Sequence, residues 1–232
     1  MLSIKQRPSS LKVSDGAFII IFVFGFIVSL SRILTGVFHF SPNDGLFMLA
    51  LIYLQDILLA GMSLIFLFCL RHENLGHIGI QRPTFKMIIR SLFFGVFLLL
   101  VMLAVVQIMN ALLPNGMPSQ NIEALMNMNS SPVRIFLSIC ATAIMAPVAE
   151  EIFFRGYLFT ALQSRYSIPI ALVVTNLCFG IAHGDMYRFL PLAIGGLALN
   201  VWYLKERNLI SAMVAHGTWN AIMSALFYLF QT

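Results

Sequence analysis

The feature that most constrains this chain is a succession of nearly unbroken apolar runs, at 17–38, 46–70, 88–113, 133–153, 168–184, 189–204 and 209–230. A bilayer core about 30 Å thick takes roughly 20 residues of helix at 1.5 Å per residue. The runs have that length, and they are continuous where a membrane strand would alternate. Composition agrees: 59% of the 232 residues are hydrophobic and 10% charged, against roughly 25% charged in soluble domains. Such a chain lacks the polar surface of a soluble enzyme and the charge of a disordered one. Its three cysteines, Cys69, Cys140 and Cys178, fall in apolar runs and read as packing residues, not as a disulfide framework. The expected fold is all-α, a polytopic transmembrane bundle of about seven spans (six to eight), forming one integral-membrane domain over 1–232.

Within that domain, 1–16 reads as a tail, 17–130 as hydrophobic N-terminal spans and 131–232 as the spans that carry chemistry. The first run follows Lys5, Arg7 and Lys12 but is too long for a signal peptide and lacks a cleavage site. The net charge of +5 is concentrated in alternate connections: the tail, Arg71, Arg82, Lys86 and Arg90, then Lys205 and Arg207. Connections 39–45 and 114–132 have no Lys or Arg, so the positive-inside rule places the N-terminus in the cytoplasm. The basic excess is accounted for in this way, without nucleic acid as a partner. Pro114, Gly116, Pro118 and the polar stretch to Pro132 form the longest connection. Trp202, Tyr203 and Tyr228 lie near span ends, where interfacial aromatic belts are expected.

Ionisable groups within spans are costly and usually face the bundle interior. Arg32 and Asp56 stand at depths where they could meet across the first two spans, and an ion pair is expected. Glu150 and Glu151 are adjacent at the end of an apolar run, and both cannot be ionised there without a cation or a polar cavity. Glu151 and Arg155 share a helix face at i,i+4 and can pair. Glu150, about 100° away around the helix, is left for another task. His183 sits on an apolar helix between Gly180 and Gly184, a small-xxx-small spacing that admits a close helix neighbour. His216 and Asn220 again share a face. A carboxylate, an imidazole and an imidazole–amide pair on three late spans fit hydrolysis of an amide. Glu150, helped by His183, would take a proton from water. His216 and Asn220 would donate to the developing oxyanion. Glu151 and Arg155 would hold the first carboxylate in place.

Glu150-Glu151-x-x-x-Arg155, Phe179-x-x-x-His183 and His216-x-x-x-Asn220, in this order over about the last 100 residues, resemble the CAAX-protease and bacteriocin-processing (CPBP/Abi, type II CAAX endopeptidase) family of intramembrane proteases. The resemblance implies that Glu150 and His183 activate water, that His216 and Asn220 form the oxyanion side, and that Glu151, Arg155 and Phe179 support them. It implies a membrane peptidase acting on a membrane-associated peptide or protein; the short chain, with little beyond the spans, reads as bacterial, so a CAAX substrate is not expected. A non-proteolytic immunity or scaffold protein is the alternative, and an ion or proton-coupled transporter a more distant one. No cofactor is favoured; if zinc were bound, Glu150, His183 and His216 would be its ligands.

One expectation conflicts with straight helices. Glu150 and His216 lie near the basic side, whereas His183 stands fifteen residues along its run, roughly 22 Å away. A broken or re-entrant helix around 154–168, with Pro147, Gly156 and Pro169 as break points, would reconcile them.

Overall fold

The computed structural model describes residues 9–41, 44–113 and 131–230; Lys5, Arg7 and the polar connection from Pro114 to residue 130 lie outside them. The described residues form helices α1 (Val13–Gly36), α2 (Gly45–Leu70), α3 (Phe85–Leu112), α4 (Pro132–Gln163), α5 (Ile168–Ala182), α6 (Phe189–Glu206) and α7 (Leu209–Phe230). The fold is an all-helical polytopic bundle, and the chain is an integral membrane protein. Four helices, α1 to α4, are long and apolar enough to cross a bilayer. The remaining three do not meet that standard: α5 spans only 15 residues, and α6 and α7 carry Asn200, Lys205, His216 and Asn220. The last three runs are therefore less lipid-like than their sequence length suggested.

Local chemistry sets the ends. Asp44 caps α2 by accepting from Leu46 N–H, Thr84 caps α3 through Met87 N–H, and Ser131 caps α4 through Arg134 N–H, each satisfying a donor left free by the first turn. Pro132 and Pro169 stand in the first turns of α4 and α5, where a missing N–H costs nothing. Gly184 (φ +65°) ends α5 in the left-handed conformation that glycine adopts freely. It therefore terminates the helix and does not serve a close contact. Gly180 does: a Cβ there would meet Phe189 O at 2.8 Å, so α5 and α6 touch backbone to backbone.

The expected fourth span ends too early. α4 runs to Gln163, relaxing into π-helical turns at Ala141–Met145 and Glu151–Phe159, and the interruption inside 154–168 is the short turn at 164–167 before α5. Glu150 thus stands thirteen residues before the end of α4, about 20 Å at 1.5 Å per residue, and matches the depth of His183 on α5. The start of α7 packs against α4 and the connection after α2. Leu209 packs beside Gly156, where a Cβ would lie 3.2 Å from Leu209 Cδ2 and 3.2 Å from Ile78 Cδ1. Leu209 N–H donates to Gly79 O at 2.8 Å, and Asn208 Nδ2 to Gln81 O at 2.9 Å. The Ile78–Gln81 connection is thus held against the Arg207–Asn208 turn.

Other expectations also change. Arg32 is exposed and Asp56 is 3% exposed, so they do not pair; Asp56 faces into the bundle. Trp202 and Tyr203 are interior instead of interfacial: the indole N–H donates to Ser211 Oγ at 3.1 Å and the phenol to Ile78 O at 3.1 Å. Tyr228 is half-buried and Cys69 exposed, while Cys140 and Cys178 are partly buried. At the helix ends near Lys12, Asp15 of α1 binds Arg71 Nε at 2.6 Å and Tyr157 of α4 at 2.9 Å, tying three helices together. Burial opposes the charge of Glu73 in the connection after α2, but hydrogen bonds from Ser10 and the nearby His77 outweigh it and hold that carboxyl below its usual range.

α3 and α7 approach closely at Gly95. A Cβ on Gly95 would fall 2.5 Å from Ala215 O and 2.7 Å from Thr218 Cβ, a backbone atom and a side-chain root of α7 that cannot yield unless the helices separate. Gly95→Ala is expected to cost about 1–3 kcal/mol, read as a lower melting temperature in detergent. Ala at Gly25, which meets nothing within 4 Å, should leave it unchanged.

Candidate active site

Four helices bring the polar groups together. α4 supplies Glu150, Glu151 and Arg155, α5 supplies Phe179 and His183, α6 supplies Gly196 and Asn200, and α7 supplies His216 and Asn220. The foundation is a charge pair with no solvent access. Arg155 Nη1 donates to Glu151 Oε1 at 2.8 Å, and both side chains are 0% exposed. Arg155 also donates through Nε to Asn200 Oδ1 at 2.8 Å and through Nη2 to Gly196 O at 2.8 Å, and its guanidinium lies 4.7 Å from the centre of the Phe179 ring. The motif is therefore not a surface group reaching for the interface. Gly196 makes room: a Cβ there would sit 2.9 Å from Asn176 Oδ1 and 3.0 Å from Phe179 Cδ1.

Glu151 Oε1 accepts a second bond, from His216 Nδ1 at 2.9 Å. That fixes the ring so that Nε2 points to Glu150, 3.8 Å from Oε2. His183 is fixed differently. Its Nδ1 lies 2.7 Å from Phe179 O; a carbonyl can only accept, so Nδ1 carries the hydrogen, and in the neutral ring Nε2 is an acceptor. That atom faces Glu150 Oε1 at 3.8 Å. Glu150 thus stands between two imidazole Nε2 atoms, one at each oxygen. The spacing exceeds a direct hydrogen bond, and Glu150 and His183 keep 18% and 30% side-chain exposure while Glu151 and Arg155 keep none. The two acceptors Glu150 Oε1 and His183 Nε2 converge on the side from which water can enter.

Asn220 Nδ2 donates to Thr142 O at 2.9 Å, a carbonyl of the first π turn of α4. Phe179, 1% exposed, is packed against Arg155, His183 and His216 and so spaces the two imidazoles. After Gly184 the chain turns through Asp185, which accepts from Tyr187 N–H and from Arg188 N–H and Nη1. Partial burial opposes the Asp185 charge, but the bonds from Arg188 hold its carboxyl below the ordinary range. Sequence reasoning missed Asn200 and Gly196, although a lone amide beside a Gly-Gly pair in an apolar run was the available signal. It noticed Asp56 but assigned it to Arg32.

A zinc ion would find suitable donor types here: two imidazoles and a carboxylate. Tetrahedral zinc with bonds of about 2.0–2.1 Å would hold donor atoms about 3.3–3.4 Å apart, closer than the 3.8 Å seen for both Glu150–histidine pairs. Among the described residues no group of three His, Cys, Asp or Glu is arranged to hold a metal.

Residues 132–222 match the family described as type II CAAX prenyl endopeptidase Rce1-like. An uncharacterized protein of Mycoplasma capricolum is 32% identical over 98 residues, 40% of this chain and 28% of the relative. YdiL of Bacillus subtilis, named as a candidate membrane peptidase, is 26% identical over 108 residues, 47% of this chain and 43% of the relative. The UPF0177 protein YxdF of Lactococcus lactis is 26% identical over 90 residues, 38% of this chain and 49% of the relative. The chain spans less than half the length of each of these relatives. No solved structure matches it. The stretch that the type II CAAX prenyl endopeptidase Rce1-like family matches, residues 132–222, is thus the one that supplies Glu150, His183 and His216.

Proposed function

We propose that this protein is an intramembrane endopeptidase that hydrolyses a peptide bond of a membrane-associated peptide or protein, with Glu150 as the base. The observation that carries the reading is Glu150 held between the Nε2 atoms of His183 and His216, 3.8 Å from each. A water bound between Glu150 Oε1 and the acceptor nitrogen of His183 gives one hydrogen to each. As its oxygen adds to the scissile carbonyl carbon, Glu150 takes the proton. The oxyanion is met by His216, whose Nδ1 is bound to Glu151; an Nε2 hydrogen then requires the imidazolium form, which Glu150 and Glu151 flank with negative charge. One amide hydrogen of Asn220 is used by Thr142 O and the second serves the same oxyanion. When the carbon–nitrogen bond breaks, Glu150 returns the proton to the leaving amine.

The chemistry asked of Glu150 needs no metal. The basic helix ends, including Arg71, Arg82 and Arg90, support a cytoplasmic N-terminus, and the bacterial relatives support a bacterial plasma membrane. The resemblance to prenyl endopeptidases concerns the catalytic region; the apolar, membrane-level site suits a peptide presented from the bilayer, prenylated or not.

Glu150→Gln removes the base and keeps the shape. Its kcat on tagged membrane peptides should fall about 10²–10⁴-fold with an unchanged melting temperature. A zinc chelator should leave the native enzyme active; activity lost to chelator and restored by zinc would move water activation to a metal. Arg155→Met is the contrasting variant: it strands a buried carboxylate and should cost about 3–5 kcal/mol of stability, seen as loss of folded protein in detergent.

A further inference from the structure

A proline sits three residues before the proposed base, in the middle of α4, and the bundle compensates for it in one place. In the π turn Ala141–Met145, Ala146 N–H donates to Ala141 O, five residues back. The next rung in that register would run from residue 147 to Thr142 O. Residue 147 is proline and has no N–H to give. A carbonyl shielded from water and left without a donor is costly, and the donor that reaches the part-buried Thr142 O is the side chain of Asn220, at 2.9 Å.

The neighbouring contacts are built around the same join. Gly217, three residues before Asn220, lies against the next carbonyl of the turn: a Cβ there would stand 2.6 Å from Ala143 O, so only glycine lets α7 come this close. Ser224, one turn after Asn220, shares a hydrogen bond with Thr142 Oγ1 at 3.1 Å. Positions 217, 220 and 224 thus form one stripe of α7 seated on residues 142 and 143 of α4. The same length of α7 carries His216, and the same turn of α4 leads directly into Glu150.

We propose that Asn220 is a positioning residue: its amide replaces the backbone hydrogen bond that Pro147 deletes, and the Pro147–Asn220 pair fixes the rotation of the Glu150–Glu151 turn against His216. A wider turn without a proline would close its own ladder and leave α7 free to shift. With the proline, the turn is complete only when α7 is docked, so the base and the imidazole are set by one contact. The structural half of this proposal stands on the geometry; its catalytic half rests on the peptidase reading above.

A double-mutant cycle tests it with the full-length protein in detergent and in native membranes. Asn220→Ala should lower the melting temperature by roughly 2–10 °C. In Pro147→Ala, whose restored N–H can reach the turn's own carbonyls, the same substitution should cost less than half as much. Asn220→Asp, which keeps the shape but has no hydrogen to donate, should repeat the pattern. The kcat per folded molecule should follow in part: Asn220→Ala should cost about tenfold more in the native background than beside Pro147→Ala, where only the hydrogen bond to the oxyanion is lost. Equal melting-temperature losses in the two backgrounds overturn the compensation. A relieved melting temperature with an unrelieved kcat overturns the positioning role and leaves Asn220 acting on substrate alone. If the native protein cleaves nothing, the peptidase reading fails, and the melting temperatures still decide the compensation.

Discussion

A guanidinium and a carboxylate with no access to water have to satisfy one another, and the interior of this bundle is arranged around that requirement. Taking either charge out of water costs several kcal/mol, so Arg155 is given three bonds, to Glu151, Asn200 and Gly196, and the Phe179 ring as a fourth neighbour. These partners come from α4, α5 and α6, and Glu151 passes the constraint to α7 through His216. A buried pair of this kind stabilises little in net terms, but breaking it is expensive. Its consequence is geometrical: four helices have one shared register. Glu150, a residue away and partly exposed, inherits a fixed position without carrying any of the pair's bonds.

Each imidazole is oriented through Nδ1 by an acceptor in its own neighbourhood, His183 by a carbonyl one turn back and His216 by a carboxylate across the bundle. The two anchors give the rings different chemistry. A carbonyl partner keeps the hydrogen of His183 on Nδ1, so that its neutral ring presents an acceptor at Nε2. A carboxylate partner suits His216 to carry positive charge while an oxyanion forms. Small residues permit the approach: Gly180 against Phe189 O, Gly196 against Asn176 and Phe179, Gly217 against Ala143 O. Close packing around polar side chains is the usual construction inside membranes, where apolar burial alone does not hold helices together.

Much of this was legible in the residues. The apolar runs announced the helices, and the i,i+4 spacing announced the Glu151–Arg155 pair. The end of α4 was not. Glu150, Glu151 and Arg155 interrupt the apolar run at 153, so the helix seemed to surface there; because the charges neutralise one another internally, it stays buried to Gln163. That error alone produced the mismatch in depth between Glu150 and His183. Arg32 and Asp56 were matched by depth, but rotation about each helix decides such pairs, and weakly amphipathic membrane helices carry little record of rotation. Asn200 was invisible as a partner for Arg155 because a contact across 45 residues leaves no local spacing to read.

The most direct test of the central arrangement is the ¹⁵N magnetic resonance of histidine-labelled protein in micelles, assigned with His183→Gln and His216→Gln. The account predicts that both rings carry hydrogen on Nδ1, and that Glu150→Gln moves the Nε2 resonances of His183 and His216 together. A hydrogen on Nε2 with a bare Nδ1 at His183, or Nε2 resonances indifferent to Glu150, would contradict it.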